Sequence, residues 1–242
     1  MHDLINGRYR ARIGQTKDDL RAAQRLRHQA FFGGEGLDQD RFDDICTHML
    51  IEECQTGQLV CCFRILPLPS GAEIDRSYAA QFYDLSALQR FPGKMVEMGR
   101  FCVLPGLNDP DILRIAWGAM TRYVDENTVE ILFGCSSFPG TDAGQYLDAF
   151  GLLKKRHVAP IHWAPRVKAA SIFRFAETWH KPDMRKALTK MPPLLRSYLS
   201  MGGWVSDHAV VDRQLNTLHV FTGLEIRAIP AARKRRLRAV AQ

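Results

Sequence analysis

Met95-Val96-Glu97-Met98-Gly99-Arg100-Phe101-Cys102-Val103-Leu104 is apolar except for one acid and one arginine, and Pro105-Gly106 closes it. The stretch reads as a β-strand. Asp109 and Pro110 then serve as cap and first residue of a helix. Ile112, Ile115, Ala116, Ala119, Met120 and Tyr123 recur at helical spacing and form its buried stripe. Within the strand, Glu97 and Arg100 have opposite parity, so a regular pleat would send them to opposite faces. Gly99 between them marks a bulge, which would turn both to one side. A bulge also leaves backbone N–H groups unpaired, and such donors can hold an oxyanion.

Working outward, Tyr9 to Ile13 reads as a first strand. Thr16 with Asp19 makes a capping box for a helix whose Leu20, Ala23, Ala30 and Phe31 share a face. That helix ends before Gly33-Gly34-Glu35-Gly36, and an acidic stretch, Asp38 to Asp44, follows. Met49 to Glu52 and Leu59 to Leu66 read as two strands about the turn Gln55-Thr56-Gly57, with Pro67 and Pro69 ending the second. Residues 70 to 94 read as irregular, with short helical turns around Phe82-Tyr83 and Leu85 to Leu88. Beyond the central helix, Val129 to Cys135 is a strand. Thr141 to Phe150 is a helix closed by Gly151, and another strand lies near His157 to Arg166. This order gives an α/β (α+β) fold with a mixed twisted sheet flanked by helices. The expected division is a core over 1–170, an extension over 171–230 packed on it, and a basic tail over 231–242. In the extension, a helix starts at Pro192-Pro193 and ends at Gly202-Gly203. Trp204 to Val211 and Leu218 to Ile226 read as strands.

Three places set a charge where the pattern asks for an apolar residue. Arg27 shares the face of Leu20 and Ala23, Arg64 interrupts the most apolar strand, and Glu97 and Arg100 share theirs. Burying an unpaired charge is expensive, so these groups must pair with one another or face a cavity. The pattern leaves open a buried ion network that fixes the elements, or a polar site whose carboxylates have shifted pKa values.

The 242 residues are 46% hydrophobic and 24% charged, which suits a globular chain and excludes a disordered one. The longest apolar run, Leu59 to Phe63, is far short of the roughly 20 residues of a membrane span. The start of the chain lacks a signal-peptide layout, so a cytoplasmic location is expected. Cysteines at 46, 54, 61, 62, 102 and 135 form no Cys-x-x-Cys pair and read as small core residues rather than disulfides or metal ligands. The net charge is +7, and Arg233, Lys234, Arg235, Arg236 and Arg238 account for all but two of it. Such a tail either frays into solvent or meets an acidic partner. No recognition helix or RNA-stacking motif supports a nucleic-acid-binding module.

Arg27-His28-Gln29-Ala30-Phe31, Asp40-Arg41-Phe42-Asp43, Cys62-Phe63-Arg64-Ile65-Leu66 and Glu97-Met98-Gly99-Arg100-Phe101 occur in that order. Over about residues 9 to 166 this series resembles the acyl-homoserine-lactone synthases, a branch of the GNAT acyltransferase fold. Arg27, Phe31, Asp40, Asp43, Arg64, Phe82, Glu97 and Arg100 fall at that family's signature positions. Three further stretches are Leu152 to His157, Pro193 to Leu199 and Trp204 to Arg213. They resemble the ornithine–acyl carrier protein N-acyltransferases, which make lyso-ornithine lipid, and with that group the likeness spans most of the chain. The tryptophan that the lactone synthases carry after their first helix is absent, and the C-terminal extension is longer than theirs.

The resemblance implies transfer of a (3-hydroxy)fatty acyl group from acyl carrier protein, through its phosphopantetheine arm, to the α-amine of ornithine. No other cofactor and no metal is implied. Glu97 would be the base, or else only a charge partner of Arg100 or Arg27 that orients the site, and Tyr146 would be a general acid. Backbone donors near Phe101, Cys102 and Val103 would hold the oxyanion. Arg27, Phe31, Asp40, Asp43, Arg64 and Phe82 would shape the substrate site. The acidic stretch Asp38, Asp40, Asp43 and Asp44 would attract the side-chain ammonium, with Asp207, His208 and Asp212 as second candidates for the amino-acid pocket. Coenzyme A enzymes of this fold cradle pyrophosphate with glycines at a helix start. Here Pro105 to Asp111 has one glycine and puts Asp109 and Asp111 at that positive end, which favours a carrier-protein donor. Lys154, Lys155 and Arg156 are the expected docking patch, and the basic tail a contact for the inner membrane face. A lactone synthase, or the same transfer to another amino acid, stands as the alternative.

Overall fold

The computed structural model describes residues 2–241. These fold as two compact units, each of interleaved segments. The first takes the described part of Met1–Pro67 with Val96–Val129 and Pro230–Gln242; the second takes Leu68–Met95 and Glu130–Ile229.

In the first unit, β1 (Leu4–Asn6), β2 (Tyr9–Ile13), β3 (Thr47–Glu53), β4 (Leu59–Leu68) and β6 (Met95–Val103) lie side by side in that order. β1 escaped the sequence reading because it is three residues long. A two-residue turn, Gly7-Arg8, folds it back on β2, with Gly7 supplying the positive φ of 59°. Pro67 does not end β4, which runs one residue further. Pro67 is an exposed position at the strand's end, where a missing N–H is tolerated. α1 (Lys17–Phe31) opens with the expected box: Thr16 accepts from the Asp19 N–H while Asp19 accepts from the Thr16 N–H. α2 (Pro110–Asn127) starts at Pro110 behind Asp109 and buries the whole expected stripe.

The basic tail forms a helix, α6 (Ala231–Val240), that lies along α2. Gly118 permits the approach: a Cβ there would come within 2.8 Å of Val240 Cγ1. Arg238 pairs with Asp125 at 2.8 Å. Arg122 joins the two chain ends, donating to the carbonyl of Ala241 and to those of His2 and Asp3 at 3.2 and 3.3 Å. The tail therefore docks rather than frays.

In the second unit, β7 (Ile131–Pro139), β12 (Thr217–Glu225), β11 (Ala209–Asp212) and β9 (Ile172–Phe173) lie in that order, with β10 (Trp204–Val205) also on β12. β5 (Tyr83–Asp84) pairs with β8 (Arg166–Val167). The helices are α3 (Leu147–Arg156), α4 (Met184–Lys190) and α5 (Pro193–Ser200). Phe138, Phe150, Leu153, Phe175, Leu195 and Val220 form the centre of its core.

Three expectations change here. The helix expected over Thr141 to Phe150 begins at Leu147 after a short turn and runs through Gly151. That glycine is not a stop; a Cβ on it would meet Pro182 at 3.2 Å, so it admits the chain that crosses α3. His157 to Pro165 holds one isolated bridge, Val158 to Val205, instead of a strand, and only Arg166 of the expected range belongs to one, the two-residue β8. The strand expected over Trp204 to Val211 is broken at Ser206, whose hydroxyl accepts from the Phe221 N–H and donates to the His208 carbonyl. Among the described residues no helix is long and apolar enough to cross a membrane.

Candidate active site

The first unit gathers its three misplaced arginines around the loop after α1. Arg27 is 0% exposed and Arg64 is 2% exposed. Arg27 grips both carboxylate oxygens of Asp43, at 2.8 and 2.9 Å, and its Nε donates to Asp38 at 2.9 Å. Arg64 holds Asp40 through two nitrogens and reaches Asp43 at 3.0 Å. Arg100 donates to Asp38 at 3.1 Å and reaches Asp40 at 3.4 Å. Three guanidinium groups thus face three carboxylates. Gln24 adds a donor to Asp43 at 2.9 Å, and His48 Nε2 lies 3.0 Å from the Asp43 carbonyl. Aromatic rings back the charges: Phe42 under Arg64 and Phe31 under Arg100, at 5.6 and 5.8 Å from ring centre to guanidinium carbon.

The electrostatics follow from this pairing. Burial alone would raise the Asp43 carboxyl, but hydrogen bonds from Arg27 and Gln24 outweigh it and hold the group well below the usual carboxylate range. Asp40 is likewise lowered, burial being outweighed by the Arg64 hydrogen bond and charge. The Cys46 thiol is pushed up to about 12 by burial, with Glu97, Asp40 and Asp43 adding to the shift and Arg64 opposing it. The acidic stretch is therefore not an open trap for an ammonium ion. A substrate amine would have to displace an arginine from Asp38, Asp40 or Asp43, and only Asp44 of that set is exposed. Gln24 and His48 join the network without having been singled out as site residues.

Glu97 is 3% exposed and lies three residues before Arg100 on β6. The expected break in the pleat is present, but its left-handed φ falls on Arg100, at 52°, rather than on Gly99. That conformation costs a non-glycine residue about 1 kcal/mol. The ion pairs to Asp38 and Asp40 offset it by fixing the side chain. The strand shows no alternation of burial: Met95 to Met98 are all buried, and Gly99, Arg100 and Phe101 are all half-buried. Phe101 stacks on Phe63 at 5.8 Å. The Cys102 thiol lies 3.6 Å from that of Cys62, in the core under Ala23 and Leu26. What Cys102 can offer a substrate is its backbone. Cys61, Cys62 and Cys102 are buried as expected of core cysteines, whereas Cys54 is exposed.

The remaining candidates belong to the second unit. Phe82 meets the ring of His219 edge-on at 4.9 Å. The Tyr83 hydroxyl donates to the His219 carbonyl at 2.8 Å and lies 3.2 Å from Nδ1. With its one proton on the carbonyl, the phenol accepts from Nδ1–H, which sets the tautomer of the neutral ring. His208 is fully buried, with Nδ1 2.6 Å from Asp207, and Asp212 accepts from the Leu215 N–H. Tyr146 donates its hydroxyl proton to the Pro139 carbonyl at 2.5 Å, and burial raises its pKa; both count against its acting as a proton donor. Phe133 and Phe138 differ in parity on β7 and so line opposite faces of that strand. His219 was missed, although a histidine inside Leu218-His219-Val220-Phe221 breaks the pattern in the same way as Arg64 does.

His219 carries a pH dependence. Burial lowers its pKa to about 4, with Asp212 opposing the shift. An unfolded histidine titrates near 6.5, so stability is complete above that pH. It declines as pH falls toward 4, by about 2 kcal/mol at pH 5. Urea unfolding at pH 7.5 and pH 5 should show this loss, and His219→Gln should remove most of the difference. An equal loss in the variant would exclude His219 as the source.

Residues 22–118 match the acetyltransferase (GNAT) domain family. The L-ornithine N(alpha)-acyltransferase of Rhodobacter capsulatus is 33% identical over 239 residues, 91% of each chain. That of Agrobacterium fabrum is 28% identical over 92% of this chain and 83% of its own. Among solved structures, FeeM, an N-acyl amino acid synthase from uncultured soil microbes, covers 97% of both chains with a TM-score of 0.50 at 13% identity, which bears on the fold alone. With a GNAT fold, a buried acid on β6 and this degree of likeness along nearly its whole length, the chain is an acyltransferase and belongs to the L-ornithine N(alpha)-acyltransferase family.

Proposed function

We propose that the chain moves a (3-hydroxy)fatty acyl group from acyl carrier protein to the α-amine of L-ornithine, giving lyso-ornithine lipid. The observation that carries the reading is the 33% identity to an L-ornithine N(alpha)-acyltransferase over 91% of the chain. Glu97 takes a proton from the amine, directly or through a water. The nitrogen attacks the thioester carbonyl, the C–N bond forms, and backbone N–H groups after Arg100 hold the oxyanion. The C–S bond then breaks and the thiolate leaves, to be protonated at the end of the cycle. Arg27, Arg64 and Arg100 with their aspartates are positioning residues: they hold α1, the following loop and β6 in register.

The geometry at α2 supports a carrier-protein donor. Asp109 accepts from the Asp111 N–H at 2.9 Å and from the Tyr9 hydroxyl at 2.8 Å, so the helix start is closed by the protein's own carboxylate. A pyrophosphate there would meet that charge. Lys154, Lys155 and Arg156 are all exposed at the end of α3 and suit an acidic partner.

The test is thiol release from 3-hydroxyacyl carrier protein, against the coenzyme A thioester, with ornithine, other amino acids and S-adenosylmethionine as acceptors. Release that requires ornithine and the carrier protein is expected. Release with another acceptor would reassign the substrate, and faster release from coenzyme A would overturn the donor.

A further inference from the structure

The second unit presents an apolar surface that its own core does not use. Trp179 is 91% exposed and Leu188 is 51% exposed, and Met184, one turn before Leu188 on α4, is also exposed. Of the seven residues of α4 only Ala187 is buried, so the helix touches the core along one narrow line. The segment before it is nonetheless held in place. Lys154 at the end of α3 donates to the Thr178 carbonyl at 3.1 Å. His180 bonds to Asp148 of α3 at 2.8 Å, and Asp148 also accepts from the Asp183 N–H at 2.8 Å. Trp179 is therefore displayed from a pinned segment.

Basic side chains predominate around it. Lys154, Lys155, Arg156, Lys181, Arg185 and Lys186 are all exposed. The acids nearby are each engaged: Asp148 as above, Asp183 in capping α4, and Glu177 with Arg174 at 3.5 Å. A tryptophan and aliphatic side chains within a basic rim are the composition that settles at the interface of an anionic bilayer. The α6 helix lacks that composition. Its exposed positions are alanines and arginines, while Leu237 and Val240 are half-buried.

We infer that Trp179, Met184 and Leu188, with Lys181, Arg185 and Lys186 beside them, form the face that seats this enzyme on an anionic lipid surface. The inference concerns a surface and does not depend on which amine is acylated. It replaces the C-terminal helix as the membrane contact.

The test is co-sedimentation of the full chain with vesicles of phosphatidylglycerol and phosphatidylcholine, against phosphatidylcholine alone, with tryptophan emission followed in parallel. Binding to the anionic vesicles with a blue shift is expected, and weakening by about tenfold or more in Trp179→Ala and Leu188→Ser. Both substitutions are at exposed positions and should leave the fold intact, which circular dichroism would check. Arg235→Ala with Arg236→Ala should retain at least half the binding. Absence of binding by the parent chain would overturn the proposal, as would loss confined to the α6 variant. So would a Trp179→Ala variant that binds vesicles normally but shows a raised KM for acyl carrier protein, which would assign the face to the protein partner.

Discussion

Glu97→Gln is expected to lower kcat about 10²- to 10⁴-fold while moving the thermal midpoint by only a few degrees. Glutamine keeps the shape and the hydrogen-bonding capacity of the buried side chain but cannot accept a proton. The two roles open to Glu97 separate in the pH profile. A base gives kcat/KM an acid limb that the variant loses. A charge partner leaves the limb in place and shows instead as lost stability. Thiol release measured from pH 5.5 to 9 on both proteins, beside their melting curves, decides between them. A Glu97→Gln enzyme within tenfold of the parent would remove Glu97 from the chemistry.

Arg27→Met should destabilise the chain by about 3–5 kcal/mol, the effect of leaving buried carboxylates without their partner. The side chain fits the space, yet Asp43 loses its two-point grip and Asp38 its Nε donor. Against a typical stability of about 5–15 kcal/mol this is a large share. Arg27→Lys should recover little, because one ammonium cannot bridge both oxygens of Asp43 and also reach Asp38. The pH response has a definite direction. Asp43 and Asp40 have lowered pKa values in the fold, so their contribution is present above the unfolded value near 3.9. It is lost as pH falls below that. Acid unfolding of the parent should therefore steepen below about pH 4, and the methionine variant should lack much of that steepening. Equal acid sensitivity in both would mean the network adds little.

Much of this was legible in the chain itself, because the strongest signals are local. Thr16 with Asp19, and Asp109 with Pro110, mark helix starts through contacts within a single turn. Arg27, Arg64 and Arg100 were visible as charges in apolar patterns, which was enough to require partners. Which partners they took was not visible, since Asp38 and Asp43 lie 11 and 16 positions along the chain from Arg27, past the end of α1. The acidic stretch looked like a lure for a cation for the same reason. Gly151 shows the opposite failure: its signal is tertiary, the approach of Pro182, and resembles a local stop. The short strands β1, β8 and β9 carry too few residues to show a period. The membership of the family was legible from ordered motifs, whereas the exposed tryptophan at 179 gains its meaning only once its surroundings are seen.

The clamp of Arg122 on the carbonyls of Asp3 and Ala241 suggests a rearranged version of this gene. Positions 3 and 241 meet at a single side chain, so a linker of a few glycines and serines would connect them without strain. New ends opened in the exposed turn Gln55-Thr56-Gly57 would leave every strand whole. Such a circular permutant should fold and turn over like its parent.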